Sequence, residues 1–319
     1  MKAEQIKTVV VVGAGVMGDG IAQNFAQNGM NVRLMARTQE TLSQCVGRIS
    51  HYLAQFDEFK LLNDKPQNII KRISTYQTSR MEEAVQGADF VIETIPEIVD
   101  AKKELFAQLD KVLAKNVVIG SNTSSIPITT LTEGMQTADR VVGLHYFNPA
   151  NIIPLVEVHR GKATSDEAVE TAKAVMIRSG KKPILVRKEV PGFIINRLTG
   201  AMEREVDYLL DQGVVTAEDL DAAVKASFGF RLACLGPQEA EDMIGLDTAA
   251  RVSGRIFKVL SNATEASKEL VDKVAKGELG IKSGKGWYDY SGKTREQVME
   301  ANNRLLLAQL AVYKAREAK

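Results

Sequence analysis

Cysteine is nearly absent from this 319-residue chain, which carries only Cys45 and Cys234. The two are far apart and belong to no CxxC or Cys/His array, so neither a disulfide framework nor a zinc site is expected, and no metal is predicted. Excess charge of either sign is lacking too, with 41 basic and 40 acidic residues interspersed. A surface of that kind has no electrostatic footprint for nucleic acid or an anionic membrane, so any anionic ligand must be held locally. No apolar run approaches the roughly 20 residues needed to span a bilayer, and Met1 to Lys7 shows no apolar signal core. Cytoplasmic residence is the expectation.

What is present is ordinary core material: 45% apolar and 25% charged residues describe a folded globular protein. The length exceeds what a single hydrophobic core usually supports, so two domains are expected. Short β-branched or apolar runs at Thr8 to Val12, Val32 to Ala36, Phe90 to Ile95, Val117 to Gly120, Val141 to Leu144, Leu155 to Val158 and Pro183 to Val186 read as strands, with helical stretches among them. The alternation predicts an α/β fold, a Rossmann-type, doubly wound and mostly parallel sheet. One helix is longer than a crossover requires, its face marked by Leu42, Cys45, Ile49, Leu53 and Phe56 before Asn63, Asp64 and Pro66 stop it. It either covers the core or reaches over the substrate.

Composition changes at Val190, Pro191 and Gly192, dividing a dinucleotide-binding domain at 1–189 from an all-helical domain at 190–319. Beyond Phe193 the apolar period is helical, and the amphipathic tail from Arg295 to Lys319 suggests a face for a partner subunit, hence a homodimer.

Gly13-Ala14-Gly15-Val16-Met17-Gly18 fits GxGxxG directly after a strand and at the opening of a helix. Gly13 permits the tight turn, Gly15 leaves room for a pyrophosphate and Gly18 lets strand and helix pack closely, with the helix amino end toward the phosphates. Val16 and Met17 complete this cofactor loop. An NAD-selective site carries an acid about 20 residues further on. Here the strand ends Met35-Ala36-Arg37-Thr38, without one. Ala36 cannot repel a 2′-phosphate, while Arg37 and Thr38 can donate to it, so NADP(H) is expected over NAD(H).

With this loop, Asn122-Thr123-Ser124-Ser125, His145-Tyr146-Phe147-Asn148-Pro149, Leu155-Val156-Glu157-Val158, Pro191-Gly192-Phe193-Ile194-Ile195-Asn196-Arg197 and Gly280-Ile281-Lys282-Ser283-Gly284-Lys285-Gly286-Trp287-Tyr288 complete a set of six motifs. Nearly end to end, the sequence resembles the 3-hydroxyacyl-CoA dehydrogenases. The resemblance implies hydride exchange between a nicotinamide and C3 of a short 3-hydroxyacyl group, in a cleft to which both domains contribute. It implies that His145 is the catalytic base, Glu157 its partner, and Ser124 and Asn196 hydrogen-bonding groups at the reacting oxygen. Histidine suits the task because it titrates near neutrality and can both take and return a proton. Asn122 belongs with the cofactor residues, Asn148 with the substrate loop. Glu97 and Lys102 match positions near the nicotinamide ribose, but read equally well as solvent-facing charges at a helix start. His51 and His159 match no catalytic motif and read as packing or surface residues.

The chain departs from the acyl-CoA pattern at the missing second-strand acid, at Pro154, where the family usually has lysine, and at Phe230-Arg231-Leu232-Ala233-Cys234-Leu235-Gly236-Pro237, where it usually has Pro-Met-Gly-Pro. These departures, and the lack of a basic cluster from Arg48 to Lys65, leave a second expectation beside the acyl-CoA: a small free hydroxy acid, its carboxylate paired with Arg231.

Overall fold

A computed structural model describes residues 3–317, which form two compact units. The first comprises the chain to Ile194 together with the residues from Glu300 onward; the second is Ile195–Met299. The tail therefore packs differently from the sequence expectation, which places all of it in the helical domain. Leu307 and Leu310 of the helix Arg295–Glu317 are buried with Phe56 and Ile152 of the first unit, while Leu305 and Val312 stay exposed.

The first unit is built on one eight-stranded sheet: β1 (Thr8–Val12), β2 (Asn31–Ala36), β3 (Ile73–Gln77), β4 (Phe90–Glu93), β5 (Val118–Ser121), β6 (Val141–Tyr146), β7 (Leu155–Arg160) and β8 (Lys182–Val186). Their order is β3-β2-β1-β4-β5-β6-β7-β8, and every pair is parallel except β6 with β7. Val9 to Val12 are at most 1% exposed because both sheet faces are covered, which is why the strand reads as an unbroken apolar run. On one face lie α1 (Gly18–Gln27), α2 (Gln39–Glu58) and the helix Asp166–Arg178; on the other, the helix Val99–Val112.

Several strand bounds move by a residue or two, and three differences bear on the site or the topology. β3, Ile-Ser-Thr-Tyr-Gln, is additional to them; it is an edge strand, half-buried, and its polar residues give no apolar run. β4 stops at Glu93, whose side chain accepts the amide of Ile95 at 2.6 Å and turns the chain. β6 continues to Tyr146, so His145 lies within a strand and not past its end. The second unit has no named strand among its described residues, as expected. Nor is any described helix long and apolar enough to cross a membrane.

The loop after β6 is fastened to α1 by Asn24 Nδ2, which donates to the Ala150 carbonyl at 2.6 Å, and by Asn151 Nδ2, which donates to Gln23 Oε1 at 3.0 Å. Gly20 permits this approach, since a Cβ there would stand 2.7 Å from the Asn151 nitrogen. Lys181 completes the anchorage: its buried ammonium donates to the carbonyls of Ala150 and Ile153, each at 2.6 Å. Burial pushes its pKa down to about 7. The unfolded chain, with lysine at about 10.4, then binds more protons than the folded one across the intervening pH window, so this residue's contribution rises with pH there. Relative to Lys181→Met, the wild type should gain unfolding free energy between about pH 7 and 10, by at most about 1.4 kcal/mol per pH unit, in urea titrations. A pH-independent difference would contradict the assignment.

Candidate active site

The glycine loop leaves β1 with Gly13 at φ +119°, its amide donating to the Met35 carbonyl at 2.9 Å. A Cβ on Gly13 would lie 2.5 Å from the Thr94 carbonyl oxygen, and one on Gly18 would lie 1.9 Å from that of Gly13. Glycine is required at both for packing. At Gly15, by contrast, a Cβ would meet nothing within 4 Å. Met17 provides no side-chain cap for α1, and Val16 is 70% exposed. Open space before a helix amino end without a side-chain cap fits a dinucleotide pyrophosphate.

At the end of β2, Ala36 is buried and Arg37 is exposed. Thr38 caps α2, its hydroxyl accepting from the Thr41 amide at 3.2 Å. Arg33 donates to the carbonyls of Ala84 and Gln86, at 3.0 and 2.6 Å.

At the carboxyl ends of β4 and β5, buried charges organise the Asn122–Ser125 turn. Glu93, with no exposed surface, accepts from Lys102 Nζ at 2.6 Å and from Ser121 Oγ at 2.6 Å. Burial raises its pKa against the opposing charge of Lys102. Lys102 is equally buried and lies 3.3 Å from Glu97 Oε2. Glu97 Oε1 in turn accepts from Thr123 Oγ1 at 2.6 Å and from the Ser124 and Ser125 amides at 2.9 and 3.1 Å. Burial raises the Glu97 pKa, but the Thr123 hydrogen bond and Lys102 outweigh it and leave it lowered. The reading of Lys102 as a solvent-facing charge is corrected: it is an internal tie between two carboxylates. Glu93 escapes sequence reasoning, its only signal being an acid that closes the apolar run Phe-Val-Ile-Glu.

Asn122 joins this edge to β6, its Oδ1 accepting the Tyr146 amide at 3.0 Å and its Nδ2 donating to Thr94 Oγ1 at 3.2 Å. Ser124 is exposed on the turn, and Asn148 is exposed beside Pro149.

The antiparallel register of β6 and β7 sets His145 opposite Glu157. His145 Nδ1 stands 2.8 Å from Glu157 Oε2, with His145 6% exposed and Glu157 fully buried. The other carboxylate oxygen accepts the Ile194 amide at 3.0 Å. Phe147 and Phe193 flank the imidazole, with ring centroids at 4.5 and 5.7 Å. His159, 1% exposed, packs on Phe193 at 3.6 Å, and burial pushes its pKa down to about 4. That is the packing role expected of it; His51 is exposed on α2. His145, Glu157 and His159 bring potential metal-ligand atoms within 4.8 Å of one another, but the first two are already joined directly.

Asn196 and Arg231 belong to the second unit. Both are exposed, on the helices Ile195–Asp211 and Phe228–Leu232.

Residues 8–190 match the model of the 3-hydroxyacyl-CoA dehydrogenase NAD-binding domain, and residues 192–290 match the C-terminal domain of the same enzymes. The chain belongs to the 3-hydroxyacyl-CoA dehydrogenase family. It is an oxidoreductase with a Rossmann NAD-binding domain and a helical C-terminal domain. Among relatives within and beside this family, it is 37% identical over 292 residues to a probable 3-hydroxybutyryl-CoA dehydrogenase of Bacillus subtilis, covering 91% of this chain and 99% of that one. It is 31% identical over 312 residues to the 5-formyl-3-hydroxy-2-methylpyridine 4-carboxylate 5-dehydrogenase of Mesorhizobium japonicum, covering 98% and 100%. A crystal structure of an enzyme of that name, described as an NAD+ dependent dismutase, superposes with a TM-score of 0.88 at 30% identity, covering 97% of this chain and 99% of the other. That of the (S)-3-hydroxybutyryl-CoA dehydrogenase of Ralstonia eutropha gives 0.72 at 34% identity, covering 90% and 100%.

The buried Glu93–Lys102 pair yields a stability prediction, since removing one partner strands a charge away from water. Lys102→Met should cost about 3–5 kcal/mol in denaturant unfolding, and adding Glu93→Gln should restore much of it. A loss below about 1 kcal/mol would show that the pair has access to solvent.

Proposed function

We propose that this enzyme interconverts a hydroxyl-bearing carbon and its oxo form on a small free carboxylic acid, with NAD(H) as cofactor and His145 as the acid–base residue. The 2.8 Å approach of His145 Nδ1 to the buried carboxylate of Glu157 carries the reading. When bound, the nicotinamide takes or supplies the hydride. Glu157 accepts a hydrogen bond from Nδ1–H, which leaves Nε2 as the basic nitrogen for the substrate hydroxyl, and it stabilises the imidazolium that forms. Ser124, on the turn held by Glu97, donates to the reacting oxygen as charge develops there, and Asn196 is a substrate contact implied by its motif. Asn148 is assigned to the same substrate loop.

A free acid is favoured over a thioester by the state of the arginines around α2. Arg48 is paired with Asp19, Arg72 with Asp64 and Arg304 with Glu58, so a phosphate of coenzyme A would have to displace a carboxylate from each of these guanidinium groups. Arg231 is exposed and suited to a substrate carboxylate. Similarity over nearly the full length to a pyridine carboxylate dehydrogenase supports the same reading. A short 3-hydroxyacyl-CoA is the second reading, supported by the motif set shared with the 3-hydroxybutyryl-CoA dehydrogenases. Turnover of acyl-CoAs beside their free acids, in both directions, separates the two.

For the cofactor, the match to an NAD-binding domain and the likeness to an NAD+ dependent dismutase support NAD(H). Selectivity for NADP(H) would rest chiefly on Ala36 and Arg37, since Arg33 is held by two carbonyls and the Thr38 hydroxyl already accepts as the cap of α2. If Arg37 meets a 2′-phosphate, Arg37→Ala should lower kcat/KM for NADPH by about tenfold and leave that for NADH within about twofold. Equal losses with both would remove Arg37 from that role.

A homodimer is proposed from the second unit, where Leu220 is the only apolar side chain buried among the described residues. Phe230, Met243, Phe257 and Val259 are 67–76% exposed. So much uncovered apolar surface marks an assembly face. Light scattering should give twice the chain mass, and a monomer at micromolar concentration would contradict the proposal. His145→Gln should lower kcat by about 10²–10⁴-fold with NADH affinity nearly unchanged. Near-normal turnover by this variant would sink the acid–base assignment.

A further inference from the structure

Asp19, the second residue of α1, sets a carboxylate with 2% exposure in the first turn of the helix that opens from the glycine loop. Its Oδ1 accepts the Gly20 amide at 2.6 Å. An acid is ordinarily welcome at a helix amino end, where the dipole and free amides attract negative charge. Here the same positive end faces the open space over Gly15, and a pyrophosphate bound there would share it with Asp19. Two anions in one small field repel each other unless one is neutralised.

Arg48, from the middle of α2, meets both parts of this region. Its Nε donates to Asp19 Oδ2 at 2.6 Å and its Nη2 to the carbonyl of Ala14, inside the glycine loop, at 3.0 Å. The guanidinium is 38% exposed and the carboxylate 3%, so Arg48 is the cation that compensates Asp19, beside the Gly20 amide. Burial raises the pKa of Asp19 itself, against the opposing hydrogen bond and charge of Arg48, and burial together with Asp19 pushes the Cys45 thiol up to about 12.

We propose that Arg48 is a cofactor-positioning residue, whose guanidinium neutralises Asp19 and holds the Ala14 carbonyl so that a dinucleotide pyrophosphate can occupy the amino end of α1. The inference rests on the dinucleotide reading of Gly13–Gly18 and adds to it a charge pair that the glycine pattern does not contain. Arg48 then acts on cofactor affinity through Asp19 and the loop, without touching the reacting atoms.

The test is NADH binding to the full chain, followed by nicotinamide fluorescence at low and moderate salt, for the wild type, Arg48→Leu, Asp19→Asn and the double variant. Arg48→Leu should weaken binding by about tenfold or more at low salt, because a bare carboxylate then faces the pyrophosphate. The double variant should return to within about threefold of the wild type, since it removes the repulsion together with the compensation. Asp19→Asn alone should bind at least as tightly as the wild type, and this arm decides the matter if Arg48→Leu does not fold. An unaltered Arg48→Leu, a double variant as weak as Arg48→Leu, or an Asp19→Asn weaker than the wild type would each overturn the proposal. Wild-type protein that binds neither NADH nor NADPH would overturn the glycine-loop reading beneath it, a result distinguishable from the other three.

Discussion

A carboxylate without exposed surface needs partners for its oxygens, and Glu157 has them in two directions: the imidazole of His145 and the amide of Ile194. Both depend on the same feature, the one antiparallel pairing in an otherwise parallel sheet. A parallel β7 would have offered a different register opposite β6. Because it runs back, residue 157 faces residue 145 directly, and the chain beyond β8 returns through Gly192 and Phe193, at φ +78° and +51°, to bring Ile194 to the second oxygen. The proposed chemistry hangs on that reversal.

Around this pair the carboxyl edge of the sheet is held by buried ionic contacts more than by loop packing. Lys102 between Glu93 and Glu97 fixes the turn carrying Ser124, and Lys181 fixes the loop that follows β6. Such groups are costly to bury, and each is compensated by several short hydrogen bonds. The Asp19–Arg48 pair extends the arrangement to the glycine loop. The ends of β4, β5 and β6 and one helix start are thus positioned by charged groups, at the side of a doubly wound sheet where ligands bind.

Much of this is legible in the residues. The strands β1, β4 and β6 announce themselves because a strand buried on both faces is mostly apolar, and the glycine loop because two of its positions admit no Cβ. The His145 and Glu157 motifs are visible, but their contact follows from a register that no local pattern encodes. The edge strand β3 is hidden by its polarity, and Glu93 and Lys181 by their type, since a charged residue is read as exposed until its partners are known. The tail is recognisable as an amphipathic helix, but a helical period does not say which surface its face will meet; here Leu307 and Leu310 meet Phe56 and Ile152.

The central claim is direct hydride transfer to an oxo carbon, with the pair of His145 and Glu157 managing the proton. The measurement that tests it most directly is isotope tracing: reduction of acetoacetate and of acetoacetyl-CoA with NADH deuterated at nicotinamide C4, the product carbon being read by mass spectrometry and NMR. The account predicts one deuterium from the transferring face bound to the carbinol carbon of whichever substrate reacts, while the hydroxyl proton comes from solvent. Product whose carbinol carbon carries solvent hydrogen would contradict it.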